Sequence, residues 1–211
     1  MRIGRDRRIP SVRLLVTTIA AAVVGVPPTL EGGPLVVRWM TPAKLGGEIA
    51  SGRERERFVV EQRECGRTWE PETTFFSGRG GRWQLDFYPT ITTSYRVRWD
   101  GAVSRTLTVR VRPSVVLRES VPNGRLLVVV TATREFERRR AFVQRLDRRT
   151  GRWTTMKTLR FTDAGQAGQM RVTRGYVTVD VPRGTLVRAL LPKTSVQPCY
   201  LAGYSNVFAT T

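Results

Sequence analysis

Runs of alternating apolar and polar residues are the feature that most constrains the fold of this chain. A period of two is that of a β-strand with one buried face in an antiparallel sheet, and it is clear in residues 83–87, 95–99 and 107–111. Glycines such as Gly66 and Gly101 separate the runs where turns are expected. No window after the N-terminal segment has the sustained 3.6-residue apolar period of an amphipathic helix. The sequence therefore predicts an all-β protein of antiparallel sheets.

The strand pattern occurs twice along the chain. The first set of predicted strands is residues 35–40, 45–50, 58–64, 69–76, 83–88, 95–99 and 106–112. The second set is residues 115–119, 125–134, 141–147, 153–162, 169–181, 186–191 and 206–210. Seven short strands at this spacing are typical of a β-sandwich of about 100 residues. Periodicity alone leaves a small barrel as the alternative.

The two sets also match residue by residue. The matched pairs are Gln62 with Gln144, Trp69 with Trp153, Arg96 with Arg188, and Ser104 with Ser205. A repeat of about 80 to 100 residues is too long for a solenoid and suits a duplicated domain. The two tryptophans are expected to pack inward against the cores, with stacking on a sugar as the alternative. The two glutamines are expected to form cross-strand hydrogen bonds.

This pattern of Gln-Arg, a hairpin, a tryptophan that opens a strand, and Tyr-Arg-Val before a serine resembles the immunoglobulin-like or fibronectin-type-III-like modules of secreted actinobacterial proteins. The resemblance implies two tandem immunoglobulin-like antiparallel β-sandwich domains, residues 34–113 and 114–211, after an N-terminal segment of residues 1–33. It also implies an adhesive, spacer or interaction role, and it carries no catalytic residue over. The second domain departs from the pattern at residues 198–201, where a loop is inserted.

The N-terminus has the pattern of an export signal. An apolar stretch, residues 14–26, follows a cluster of five arginines, which are Arg2, Arg5, Arg7, Arg8 and Arg13. Thirteen residues rise only about 20 Å as a helix, against about 30 Å of hydrocarbon, so we expect no stable membrane span after cleavage. We predict a signal peptide and linker over residues 1–33 and an extracytoplasmic location. An uncleaved anchor and a buried core helix are the alternatives.

Histidine is absent from the chain. Its absence removes the commonest general base and most zinc sites. The sequence contains no motif for specific nucleic-acid recognition. We therefore predict a protein that is not an enzyme and that holds neither a cofactor nor a metal. A hydrolase that uses only carboxylates is the alternative, and it would need acidic side chains that converge in a cleft.

Positive charge is concentrated in the second predicted domain. Residues 34–113 contain 14 basic and 9 acidic residues, a formal charge of +5, whereas residues 114–211 contain 17 and 6, a charge of +11. The densest basic runs lie before and after the strand predicted at residues 141–147, and Arg125, Arg134, Arg145 and Arg188 are expected to connect them along one face. The candidate polyanion-binding residues are Arg138, Arg139, Arg140, Arg145, Arg148, Arg149, Arg152 and Arg188.

Cys65 and Cys199 are the only cysteines, one in each predicted domain. In an oxidising compartment they can form an interdomain disulfide. Free thiols and an intermolecular bond are the alternatives, because the distance between the two Cα atoms is not readable from sequence.

These observations predict a non-catalytic exported interaction or adhesion module, with a protein or polysaccharide of the cell envelope as its partner. The alternative is an electrostatic binder of cell-wall or extracellular polyanions, which acts through the basic second domain.

Overall fold

The computed structural model describes residues 26–121, 125–168 and 170–210, and it is all-β, as predicted. The predicted signal peptide lies almost entirely outside the described residues. The strands before Pro113 are β1 (Glu31–Gly33), β2 (Val36–Arg38), β3 (Ala43–Glu48), β4 (Arg57–Glu64), β5 (Glu70–Phe76), β6 (Arg82–Phe87), β7 (Thr93–Trp99), β8 (Ala102–Val103) and β9 (Leu107–Arg112). A single 3₁₀ turn, Arg79–Gly81, precedes β6.

The strands after Pro113 are β10 (Ser114–Val121), β11 (Arg125–Ala132), β12 (Arg140–Asp147), β13 (Arg152–Arg160), β14 (Asp163–Ala167), β15 (Met170–Thr178), β16 (Leu186–Leu191), β17 (Gly203–Tyr204) and β18 (Phe208–Ala209). One short helix, α1 (Lys193–Val196), follows β16. Every sheet takes its strands from one side of Pro113 only. We call residues 26–112 the N-terminal half and residues 114–210 the C-terminal half.

Each half consists of two sheets that pack against each other. In the N-terminal half the order β1-β3-β6 faces β2-β9-β7-β4-β5, and only β2 and β9 pair in parallel. Phe58 of the larger sheet packs on Trp83 of the smaller one, with ring centroids 5.2 Å apart, and Tyr95 packs on Phe87 at 5.1 Å. The rings fill the space between the sheets because period two places them on the inner faces.

The C-terminal half repeats this plan with the orders β10-β11-β15-β14 and β13-β12-β16-β17, and β18 pairs with β16. Gly175 of β15 packs closely against Leu159 of the facing sheet and against Phe161. A Cβ on this residue would lie 2.6 Å from a side-chain carbon of Leu159 and 3.1 Å from one of Phe161. Glycine therefore lets the bulky side chains of the opposite sheet fill the core.

Four strands, β1, β8, β14 and β17, lie where the sequence predicts none, and β1 and β14 show the reason. Glu31–Gly33 falls in the predicted linker, yet it pairs with β3. Gly32 permits this pairing, since a Cβ there would lie 2.3 Å from the carbonyl oxygen of Lys44. Asp163–Ala167 pairs with β15, although it contains no β-branched or aromatic residue. Both segments are strands because a neighbour supplies hydrogen bonds, which local propensity does not report.

The register of the sheets corrects one residue of the repeat. Glu61 lies opposite Arg96 in the N-terminal half, and Gln144 lies opposite Arg188 in the C-terminal half. The ladder to the following strand shifts register just before each of these two residues. The counterpart of Gln144 is therefore Glu61 and not Gln62.

A serine outside each sheet closes the same hydrogen-bonded loop in both halves. The backbone N–H of Val97 donates to Ser104 Oγ at 2.9 Å, and that of Ala189 donates to Ser205 Oγ at 2.8 Å. Each hydroxyl in turn donates to the carbonyl oxygen of the next residue along the chain. The predicted match of Ser104 with Ser205 thus holds in three dimensions.

The segment 192–202, which contains the inserted loop, connects the C-terminal half to the N-terminal half. Cys199 is 2% exposed and forms a disulfide with Cys65, with the two Cα atoms 5.4 Å apart. The backbone continues this contact, because Thr92 N–H donates to Cys199 O at 3.2 Å and Leu201 N–H donates to Val111 O at 2.9 Å.

Tyr200 completes the contact between the halves. Its hydroxyl donates to Thr90 O at 3.1 Å and accepts from Thr133 N–H at 3.2 Å. Burial raises the pKa of Tyr200 above its ordinary value, which keeps the hydroxyl protonated as a donor. Its ring packs on Phe136 at 5.8 Å. The two halves are therefore joined by a covalent bond and by hydrogen bonds.

Candidate functional site

The predicted basic residues fall into two exposed clusters at opposite ends of β12. The pre-strand arginines are Arg138, Arg139 and Arg140, which end at the first residue of β12. The hairpin arginines are Arg148, Arg149 and Arg152, which end at the first residue of β13. Within the described ranges none of these six forms an ion pair with a carboxylate. Their positive charge is therefore not neutralised by a direct partner.

An open depression of about 500 Å³ lies beside the hairpin arginines. Its lining includes Arg145, Arg148 and Arg183, together with Asp147 and Thr185. We call it the hairpin depression. Arg148 Nη2 donates to a backbone carbonyl of the β15–β16 connection at 3.1 Å, which holds the hairpin against that connection. Sequence reasoning missed Arg183, although its place in a Pro-Arg-Gly turn before β16 is a signal for an exposed loop tip.

Asp147 shapes the hairpin through hydrogen bonds. The side chain of Thr150 and the backbone N–H of Arg149 hydrogen-bond its carboxylate and hold the pKa of Asp147 below its ordinary value. An aspartate that accepts from the residues following it caps a tight turn. The turn therefore presents the neighbouring arginine side chains to solvent.

The prediction that Arg125, Arg134, Arg145 and Arg188 lie along one face is wrong. Arg125 lies on β11, in the other sheet, and Arg134 donates to Cys65 O at the contact between the halves. Arg145 pairs with Val187 in the ladder, so it lies on the opposite face of the sheet from Arg188. Cross-strand register decides these faces, and residue spacing alone does not reveal it.

Arg188 lies on the outer face of the sheet β13-β12-β16-β17, where two aromatic rings flank it. Its guanidinium carbon is 4.2 Å from the ring centroid of Trp153 and 4.5 Å from that of Tyr204. Its Nε donates to Gln144 Oε1 at 3.0 Å. Partial burial removes water from the guanidinium and lowers the pKa of Arg188 from its ordinary value. An arginine nevertheless remains charged at neutral pH.

The N-terminal half carries the corresponding cluster around Arg96. Its guanidinium carbon is 4.2 Å from the ring centroid of Trp69, and its Nε donates to Glu61. Arg98 forms a second ion pair with Glu61, at 2.7 Å. Here a carboxylate of the chain itself neutralises the arginines.

These clusters correct the expectation that Trp69 and Trp153 pack into the cores. Both rings are half-buried on the outer faces of their sheets, beneath arginine side chains. Alternation predicts a strand after each tryptophan, but it does not predict which face the residue at the hairpin takes.

Comparison with models of protein families finds no match, and comparison with curated proteins finds none either. Over residues 26–121, 125–168 and 170–210 no helix is long and apolar enough to cross a membrane. Over the same ranges no group of three acidic or cysteine side chains is arranged to hold a metal ion.

Proposed function

We propose that this protein is an exported, non-catalytic binding module of two immunoglobulin-like domains, and that its C-terminal half holds an anionic polymer of the cell envelope. The strand orders support the fold part of the proposal. An immunoglobulin domain of the constant type packs its first, second, fifth and fourth strands against its third, sixth and seventh. The order β10-β11-β15-β14 facing β12-β16-β17 is this arrangement, with β13 added at the edge.

The disulfide and the N-terminal charge pattern support export. Disulfides persist in oxidising compartments and are rare in the cytosol. The bond joins residues 134 positions apart, and it links the two halves rather than two strands of one sandwich. A covalent bond that holds two domains together suits a protein that works outside the cell, without chaperones.

The hairpin depression is the observation that carries the choice of partner. Arg145, Arg148 and Arg183 line it, and the hairpin arginines Arg149 and Arg152 extend the same basic surface. These side chains line or border one depression, so their fields add at distances near the Debye length of about 8 Å at physiological salt. A polymer that neutralises several of them releases its counterions and binds in a salt-dependent way.

A binding titration with a matched pair of variants tests this proposal. The probes are fluorescently labelled polygalacturonate and polyphosphate, with anisotropy measured from about 50 to 200 mM salt. We expect the logarithm of the affinity to fall linearly with the logarithm of salt. Replacing the three hairpin arginines by glutamine should weaken binding to both polymers by about tenfold or more.

The matched control replaces the three pre-strand arginines by glutamine, which removes the same charge from the other end of β12. We expect this control to weaken binding much less. Equal losses in the two variants would contradict the hairpin site, because only net charge would then matter. Absence of binding to both polymers at low salt, or binding that survives about 0.5 M salt, would contradict the electrostatic proposal.

A further inference from the structure

The outer face of the C-terminal half holds an arginine that is already ordered for a ligand. Trp153 and Tyr204 come from strands on either side of β16 and flank the guanidinium of Arg188. Gln144 accepts from Nε, whereas the two Nη groups have no hydrogen-bond partner among the described residues. A planar guanidinium fixed in this way loses little side-chain entropy when its free edge binds an anion.

The duplicated cluster in the N-terminal half shows which chemical group suits this position. There a glutamate, Glu61, stands at the place of Gln144 and forms ion pairs with Arg96 and Arg98. In the C-terminal half the amide of Gln144 replaces the carboxylate of Glu61, so Arg188 has a neutral partner. The C-terminal cluster therefore retains the cation and lacks the carboxylate that neutralises its counterpart.

We propose that Arg188 binds the carboxylate of an acidic sugar, a uronate, supplied by the polymer of the proposed function, on which this inference rests. The guanidinium edge pairs with the two carboxylate oxygens, which is the geometry that arginine forms best. The rings beside it offer apolar surface to the carbon face of a pyranose, and Tyr204 is 43% exposed. Arginine also forms two parallel hydrogen bonds with phosphate, so the two rings beside Arg188, which match the face of a pyranose, are the feature that favours an acidic sugar.

The position of Arg188 allows one polymer to reach both basic sites. Leu186 lines the hairpin depression and lies two residues before Arg188 on β16. Two residues of a strand span about 7 Å, a distance that a polymer of linked sugars easily bridges. A polymer bound in the hairpin depression therefore continues onto the outer face, where Arg188 binds one of its carboxylates.

The test transfers the chemistry of the N-terminal cluster to the C-terminal one. Gln144→Glu should place a carboxylate beside Arg188 and weaken binding of hexagalacturonate by about tenfold, as measured by isothermal titration calorimetry. Gln166→Glu, an exposed change of the same charge in the other sheet, should alter that affinity by less than about twofold. Polyphosphate binding should be similar in both variants, since it depends on the hairpin arginines.

Arg188→Lys is the second variant, because it keeps the charge and removes the planar fork. We expect about tenfold weaker binding of hexagalacturonate and little change for polyphosphate. If both polymers bind but neither variant changes the galacturonate affinity, this inference is wrong while the proposed function stands. If neither polymer binds the unmodified protein, both fail. If hexaglutamate binds as tightly as hexagalacturonate and responds equally to both variants, the sugar assignment is overturned.

Discussion

Reduction of the disulfide between Cys65 and Cys199 should lower the stability of the protein by a large amount. The bond closes a loop between residues separated by 134 positions. In the chain-entropy model a cross-link restricts the unfolded state more strongly as the loop lengthens, and this separation corresponds to about 5 kcal/mol at 25 °C. We expect the loss to appear in the coupled unfolding of the two halves, because the bond lies between their sandwiches and not inside either one.

Thermal unfolding followed by circular dichroism, with and without a phosphine reductant, measures this effect. For a chain of this size 1 kcal/mol corresponds to about 2–4 °C, so reduction should lower Tm by about 10–20 °C. A double variant, Cys65→Ala with Cys199→Ala, should show the lower Tm in the absence of reductant and should not respond to it. This control separates loss of the bond from other effects of the reagent.

A fall in Tm of less than about 2 °C on reduction would refute the reasoning, because it would mean that the bond restricts the unfolded chain by less than about 1 kcal/mol. Two separate transitions in the oxidised protein, both unchanged by reductant, would refute it as well. In that case the halves would unfold independently, and the contacts along the segment 192–202 would not couple them.

Three further predictions concern packing and charge. Tyr200→Phe removes the hydroxyl that links the two halves and leaves the backbone N–H of Thr133 unpaired, which should cost about 1–3 kcal/mol in urea unfolding. Gly175→Ala should cost about 1–3 kcal/mol, because the new methyl group would lie 2.6 Å from a side-chain carbon. Gly165→Ala, on the neighbouring strand, meets only a flexible side-chain atom at 3.7 Å and should change stability little. The pKa of Asp147 is depressed in the folded state, so its contribution is present above the ordinary aspartate pKa and is lost as the pH falls through the folded value, below about pH 4. A carboxyl NMR titration should show this low pKa, and Thr150→Val should raise it.

Alternation within single runs was enough to predict the all-β class and most of the strands. It works because a strand of a two-sheet protein needs one apolar face whatever its neighbours are. The same reasoning missed Glu31–Gly33 and Asp163–Ala167, whose residues have little strand propensity of their own. Edge strands of this kind depend on the hydrogen bonds of an adjacent strand, which a local pattern does not contain.

For the arginines of the candidate site, too, the sequence predicts some features and the tertiary structure decides others. The residue count predicts that the C-terminal half is basic, and the sequence places its densest arginine runs before and after the strand predicted at residues 141–147. Only the register of the sheets decides that Arg145 and Arg188 lie on opposite faces, and only the turn between β15 and β16 brings Arg183 to the hairpin depression.

By itself, then, the sequence determined most of the strands, their duplication and the sign of the surface charge, since these follow from residue type and period. Tertiary structure decided that Cys65 meets Cys199, that Arg188 lies between Trp153 and Tyr204, and that Gln144 takes the place of Glu61. Each of these contacts joins residues distant in the chain. Their pairing depends on how strands align and sheets pack, which is a property of the whole core rather than of any segment.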